Sequence, residues 1–211
     1  YNKYNSKAIS KRLIIYYNQY TFRKTRRLKS SAPAWAVAFC FAKQGGFMLS
    51  LTIKDLKQFM NKLLISDTFD GMCLSEAYIC TGCSYTIDGK LNTHFYHEDE
   101  LNSMPSARYT SWKNIKPFAF SIIKGRKVPE LLKITFVLPE AVVAKLILDT
   151  DLNFDPGCVN GLFLNVRYQD GSVTMTTASS LSTFTLDRSL DEAFEKYILN
   201  FLSDADISYE E

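Results

Sequence analysis

Leu49-Ser50-Leu51-Thr52-Ile53-Lys54-Asp55-Leu56-Lys57-Gln58-Phe59-Met60-Asn61-Lys62-Leu63-Leu64 changes its hydrophobic period part-way along, and that change sets the fold class. Leu49, Leu51 and Ile53 alternate, as a half-buried strand requires. Thr52 with Asp55 three residues later is a helix-start signal. Leu56, Phe59, Met60, Leu63 and Leu64 then fall on one stripe of a helix. Residues 66–71 form a polar break. Strands are predicted near 72–80 and 83–89, with Thr81-Gly82 at the bend and Asp88-Gly89 as a second turn signal.

The same order returns downstream. Leu132, Ile134, Phe136 and Leu138 alternate, and Pro139 opens a helix whose buried stripe is Val142, Val143, Leu146 and Ile147. Leu162, Leu164, Val166 and Tyr168 then lead to Asp170-Gly171, a hairpin turn, and a return strand over 173–177. A shift of 83 residues places Phe59, Met60, Leu63 and Leu64 on Val142, Val143, Leu146 and Ile147. The expected architecture is therefore α+β: two βαββ pseudo-repeats, forming an antiparallel sheet with helices on one face. A C-terminal amphipathic helix follows, with Ser189 and Glu192 as a capping box and Leu190, Phe194, Tyr197, Ile198, Phe201 and Leu202 inside. The halves span 48–90 and 131–186, the linker 91–130, the helix 189–203 and an acidic tail 204–211. Within the linker, residues 98–103 suggest a short helical turn. A second helix from Ser111 is kinked by Pro117 and ended by a left-handed cap at Gly125.

Residues 51–64, 85–92 and 184–190 resemble a bacterial family of unknown function, over Met48 to Phe201. The resemblance implies no activity, because that family carries none, and it implies a domain beginning near Met48. Paired βαββ units also resemble the domains of DNA sliding clamps, which implies nucleic-acid contact as an alternative role.

Charge divides the chain at the same place. Residues 1–47 contain ten Lys or Arg and no Asp or Glu, and the remainder contains 15 basic and 22 acidic residues. Gln44-Gly45-Gly46 can be encoded by a string containing AAGGAGG, a bacterial ribosome-binding sequence, shortly before the Met48 codon. The leader is thus expected to be translated upstream DNA or disordered; a targeting segment or a basic nucleic-acid arm are the competing readings. From Met48 onward the net charge is −7, which opposes general attraction to nucleic acid or anionic membrane. No apolar run reaches the length of a spanning helix. Cys73, Cys80, Cys83 and Cys158 read as reduced thiols of a cytoplasmic protein.

Cys80-Thr81-Gly82-Cys83 followed by His94 and His97 supplies two thiolates and two imidazoles, the ligand types of tetrahedral zinc, though at a shorter spacing than zinc fingers use. No other cofactor is implied. Asp149, Asp151, Asn153 and Asp155 alternate like calcium-loop ligands, but Phe154 and Asn160 replace the Gly and Glu such a loop needs. No phosphate loop, dinucleotide fingerprint or nucleophile elbow is present, so no catalytic residues are assigned. Lys54, Lys57, Lys62, Lys113 and Lys116 form a candidate nucleic-acid face if their helices adjoin. The expected function is a cytoplasmic, non-enzymatic binding or scaffold protein with an unassigned protein partner, clamp-like in form. A nucleic-acid-contacting clamp relative and a small zinc module are the alternatives.

Overall fold

Where apolar residues alternate, the chain forms strands, and where they recur every three or four residues it forms helices. The computed structural model describes residues 49–211 apart from 103, 105, 107 and 153; the leader, Met48 and Asn153 lie outside the described residues. The strands are β1 (Ser50–Ile53), β2 (Cys73–Cys80), β3 (Ser84–Asp88), β4 (Leu131–Val137), β5 (Val159–Gln169), β6 (Ser172–Leu181) and β7 (Tyr209–Glu210). The helices are α1 (Leu56–Leu64), α2 (Glu98–Asn102), α3 (Trp112–Ile123), α4 (Glu140–Asp149) and α5 (Ser189–Asp204). All seven strands join one antiparallel sheet in the order β3-β2-β4-β5-β6-β1-β7. The fold is α+β, as expected.

One face of the sheet carries Leu51, Ala77, Ile79, Leu132, Ile134, Phe136, Leu162, Leu164, Val166, Val173 and Met175, all buried. The inner stripes of α1, α3, α4 and α5 pack into the same core. Each fully buried Val, Leu, Ile, Phe or Met side chain among them stabilises the fold by roughly 1.5–3 kcal/mol. Phe69 sits at the aromatic centre, with its ring 5.8 Å from Phe59, 5.5 Å from Phe136 and 5.2 Å from Phe201. Trp112 is fully buried and meets Phe136 edge-on at 5.3 Å. Its indole N–H donates to the Leu63 carbonyl at 2.9 Å, which satisfies the one polar atom of that ring.

Three helix ends differ from the expected capping. Asp55, not Thr52, is the N-cap of α1, and its carboxylate accepts the Gln58 N–H. Ser189 lies inside the first turn of α5 instead of capping it. Asp187 accepts the Ser189 N–H, and this bond holds its carboxyl below the usual range. Helix α3 starts at its Ser111 cap and retains Pro117, but it ends on Lys124 in extended geometry, so Gly125 forms no left-handed cap.

Strand–helix–hairpin occurs twice in chain order, but strand pairing does not repeat with it. β4 lies beside β5 of its own hairpin, whereas β1 pairs β6 and β7 on the far side. A twofold axis exchanging the halves would give β1 and β4 equivalent neighbours, and they have none in common. The expected acidic tail also differs, because Tyr209–Glu210 pairs with β1 and Ile207 is buried.

The two Asp-Gly pairs serve different ends. Asp170 and Gly171 have φ values of 52° and 77°, the left-handed pair that a two-residue hairpin needs. Gly89 makes no turn. Its N–H donates to the Ser75 carbonyl and its own carbonyl accepts the Thr110 N–H, and a Cβ there would lie 1.9 Å from the Leu74 carbonyl oxygen. At this point β3 leaves β2, and residues 108–112 enter the gap: Leu74 donates to Thr110, Trp112 to Met72 and Leu91 to Arg108.

Candidate functional site

Among the described residues, α1, α3, α4 and α5 cover one face of the sheet, which leaves the other for contact. Direct strand partners share a face, and the register places Thr86, Tyr78, Lys133, Arg167, Thr174, Thr52 and Glu210 in one row across all seven strands. Tyr78, Lys133, Arg167, Thr174 and Thr52 are half-buried, as expected for side chains standing on a flat surface. Next to them runs a second row, Glu76, Thr135, Asn165 and Thr176. Thr135 donates to Asn165 at 2.9 Å, Arg167 Nε donates to Gln169 at 3.2 Å, and the Tyr78 hydroxyl donates to Ser84 at 2.9 Å. These bonds hold the central side chains upright, with two cations beside an aromatic ring.

A cleft of about 70 Å3 opens where the 106–109 segment crosses the ends of β4 and β5, near the start of α4. Ser106 is 3% exposed. Its hydroxyl donates to Glu140 at 3.3 Å and accepts the N–H groups of Arg108 and Tyr109 at 3.1 and 3.2 Å. Arg108 donates to the Asn160 carbonyl at 3.2 Å and lies over the Tyr109 ring at 5.7 Å. Ligand pockets usually enclose roughly 300–1,000 Å3, so this cleft suits solvent rather than a metabolite. Its polar groups serve to tie the linker to the sheet. Cys73, on β2 close to this segment, is fully buried; desolvation and then the Glu140 charge push its thiol up to about 11.

The Cys and His residues expected to share zinc are not brought together. Cys80 is on the uncovered face, where its sulfur neighbours Ser84 at 3.6 Å. Cys83 donates to the Tyr85 hydroxyl at 3.0 Å, and Tyr85 pairs with buried Ile79 on the helix-covered side. The thiol raises the pKa of that phenol. His94 and His97 follow the other end of β3, five residues and about 17 Å of strand away. Among the described residues, no group of three or more His, Cys, Asp or Glu could hold a metal ion.

Residues 62–210 match the model of a family described as "Family of unknown function (DUF5721)". The chain belongs to this family. No curated protein and no solved structure matches the chain. The DUF5721 match runs from the end of α1 to β7, and so takes in strands β2 to β7 and the cleft, whereas β1 precedes it.

In this DUF5721 member the five expected lysines divide into two groups. α1 and α3 adjoin; Lys57 and Lys113 on them are exposed, as is Lys54, which precedes the Asp55 cap of α1 instead of lying on the helix. Lys62 instead donates to the Ala205 carbonyl at the end of α5. Lys116 donates to the Ser66 carbonyl at 2.6 Å and forms an ion pair with Asp70. These two cations fasten loops to the helix layer. Asp149 ends α4, Asp151 adopts φ 51°, and Asp155 accepts the Gly157 N–H, so the acidic stretch acts as helix-end and turn residues. Lys133, Arg167 and Tyr78 were not singled out from sequence. Their signal was present as the polar phase of the same alternation that located the buried residues.

No helix among the described residues is long and apolar enough to cross a membrane.

Proposed function

We propose that this domain is a non-enzymatic binding protein, acting in the cytoplasm, whose working surface is the uncovered face of its sheet. The observation that carries this reading is the half-exposed row Tyr78, Lys133, Arg167, Thr174 and Thr52, held across the central strands by backbone pairing. Side chains on strands keep their positions at low entropic cost, and aromatic and arginine residues are enriched at binding interfaces. The partner is a protein presenting carboxylates to Lys133 and Arg167. Cys73, Cys80, Cys83 and Cys158 are free thiols, which suits a reducing compartment.

The test is affinity capture of the tagged full chain after cross-linking in cells of the source organism, comparing wild type with Lys133→Glu/Arg167→Glu. The partner is expected to be lost from the variant and kept by Lys57→Glu/Lys113→Glu. Equal capture by all three proteins would remove this surface from consideration.

A second reading, nucleic-acid contact of the clamp type, is favoured by exposed Lys57 and Lys113 on adjoining helices, with exposed Lys54 just before the first of them. Three phosphate contacts predict a log–log salt slope of roughly −2 to −3. Fluorescence anisotropy with a labelled oligonucleotide measures that slope, and no binding at low salt excludes the reading.

A further inference from the structure

We propose that β3 is a self-association edge, pairing antiparallel with β3 of a second copy about Thr86 to join two sheets into one. Such a contact uses the backbone groups at the rim of the sheet, at the end of the row that Thr86 shares with Tyr78.

β3 is the outermost strand on its side, and among the described residues its sheet neighbour is β2 alone. The opposite rim, β7, has two residues, whereas β3 has five. Strand backbone groups alternate in direction. Gly89 and Leu91 give their N–H groups inward, to Ser75 and Arg108, and the Cys83 carbonyl accepts from Thr81. Odd-numbered residues here therefore face β2, and Ser84, Thr86 and Asp88 turn their N–H and carbonyl groups outward. The outward row stops at Lys90, whose N–H is taken by the Asp88 carboxylate at 3.0 Å.

Those three residues define a self-complementary pairing. With Thr86 opposite Thr86 of the second copy, Ser84 meets Asp88 at both ends and about six backbone hydrogen bonds form. Tyr85 then faces Ile87 twice on the helix-covered side, an aromatic with β-branched pair that stabilises antiparallel strands. Tyr85 is 38% exposed in the single chain, so this pairing removes apolar surface from water. The two Asp88 carboxylates lie four strand steps apart, about 14 Å. Sliding the register to Asp88 would set them directly opposite one another, which disfavours it. Natural edges are usually blunted by Lys, Pro or a bulge, and Ser84-Tyr85-Thr86-Ile87-Asp88 has no Lys or Pro. α3, which packs on β2, also presents exposed Phe118 and Phe120. An isologous contact of this kind closes as a dimer and does not propagate.

Sedimentation equilibrium of the full 211-residue chain tests the proposal. Wild type is expected at twice the chain mass. Thr86→Lys opposes two cations at the centre of the contact and should halve the mass, with circular dichroism and melting temperature of the fold retained. In a Cys83→Ser background, Thr86→Cys should give a disulfide-linked dimer on mild oxidation, because the paired Cα atoms lie about 5.5 Å apart. A monomeric wild type overturns the proposal and leaves this edge to another occupant. A dimer that survives Thr86→Lys, or a Thr86→Cys protein that forms no covalent dimer, also overturns it.

Discussion

The two hairpins, β2–β3 and β5–β6, arise from similar sequence patterns and have opposite situations in the fold. Each follows a strand and a helix, and each is associated with an Asp-Gly pair. The β5–β6 hairpin occupies the middle of the sheet, and its strands pair with β4 and β1 as well as with each other. The β2–β3 hairpin has β4 on one side, and β3 forms the rim. Accordingly, β5 and β6 are eleven and ten residues long, whereas β3 has five and shows only Ile87 as more than superficially covered. A similar local pattern thus supplied a rigid centre in one case and a contact edge in the other. Neighbours, more than propensity, decide what a hairpin becomes.

Glycine substitution separates the two hairpins most sharply. Gly89→Ala forces a Cβ to within 1.9 Å of a backbone oxygen in a buried position, which requires the strand to move. A loss of more than about 4 kcal/mol is expected, enough to abolish folding of many domains. Gly171→Ala meets no atom within 4 Å and suffers only from its positive φ, so about 1–2 kcal/mol is expected. Urea unfolding of both variants measures the contrast, and equal losses would show that the two Asp-Gly pairs do the same job.

The connection into the first hairpin is the next point of difference. Phe69 there touches rings from α1, β4 and α5, while the corresponding stretch before β5 is acidic and largely exposed. Phe69→Ala should cost about 3–5 kcal/mol, against less than about 1 kcal/mol for Asp155→Ala. Lys116→Ala unfastens the same connection by removing its ion pair with Asp70 and its bond to Ser66. Because both side chains of the ion pair are largely covered, about 1–3 kcal/mol is expected in the same measurement.

A smaller effect concerns pH. Cys73 begins β2 with a thiol raised from 9.0 to about 11. In the folded state it stays protonated where the unfolded chain would ionise, so its contribution is complete below pH 9 and declines as pH rises towards 11. Melting temperature measured across this window should fall less in Cys73→Ala than in wild type. At neutral pH, exposed Cys83 should be alkylated before Cys73, with mass spectrometry reading the order.

Much of the fold could be read from periodicity. Leu132, Ile134 and Phe136 declared β4, and Asp170-Gly171 declared the turn between β5 and β6, because in both the determining interactions are local. Strand order was not legible, since β1 pairs with residues beyond 170 and nothing local to either segment specifies the other. The apparent repeat arose from helices and hairpins sharing a common pattern, without shared pairing. Phe69 escaped notice because a single aromatic in a polar break has no period. Spacing brought Cys80 and Cys83 near His94 and His97 along the chain, and the length of β3 then separated them. The surface lysines were found as residues, but sequence could not reveal that Lys62 and Lys116 each had a carbonyl waiting.

The placement of β1 has an implication for biosynthesis. During synthesis β1 finds its neighbours, Met175 and Tyr209, only after more than a hundred further residues have been made. Until then Leu51 and Ile53 remain uncovered, and such long-range closure is slow and exposed to aggregation. Hairpin β5–β6 is free to form beforehand and wait as a docking template. β6 and β7 thus complete the start of the sheet, and Lys62 clasping Ala205 is the latch that records the event.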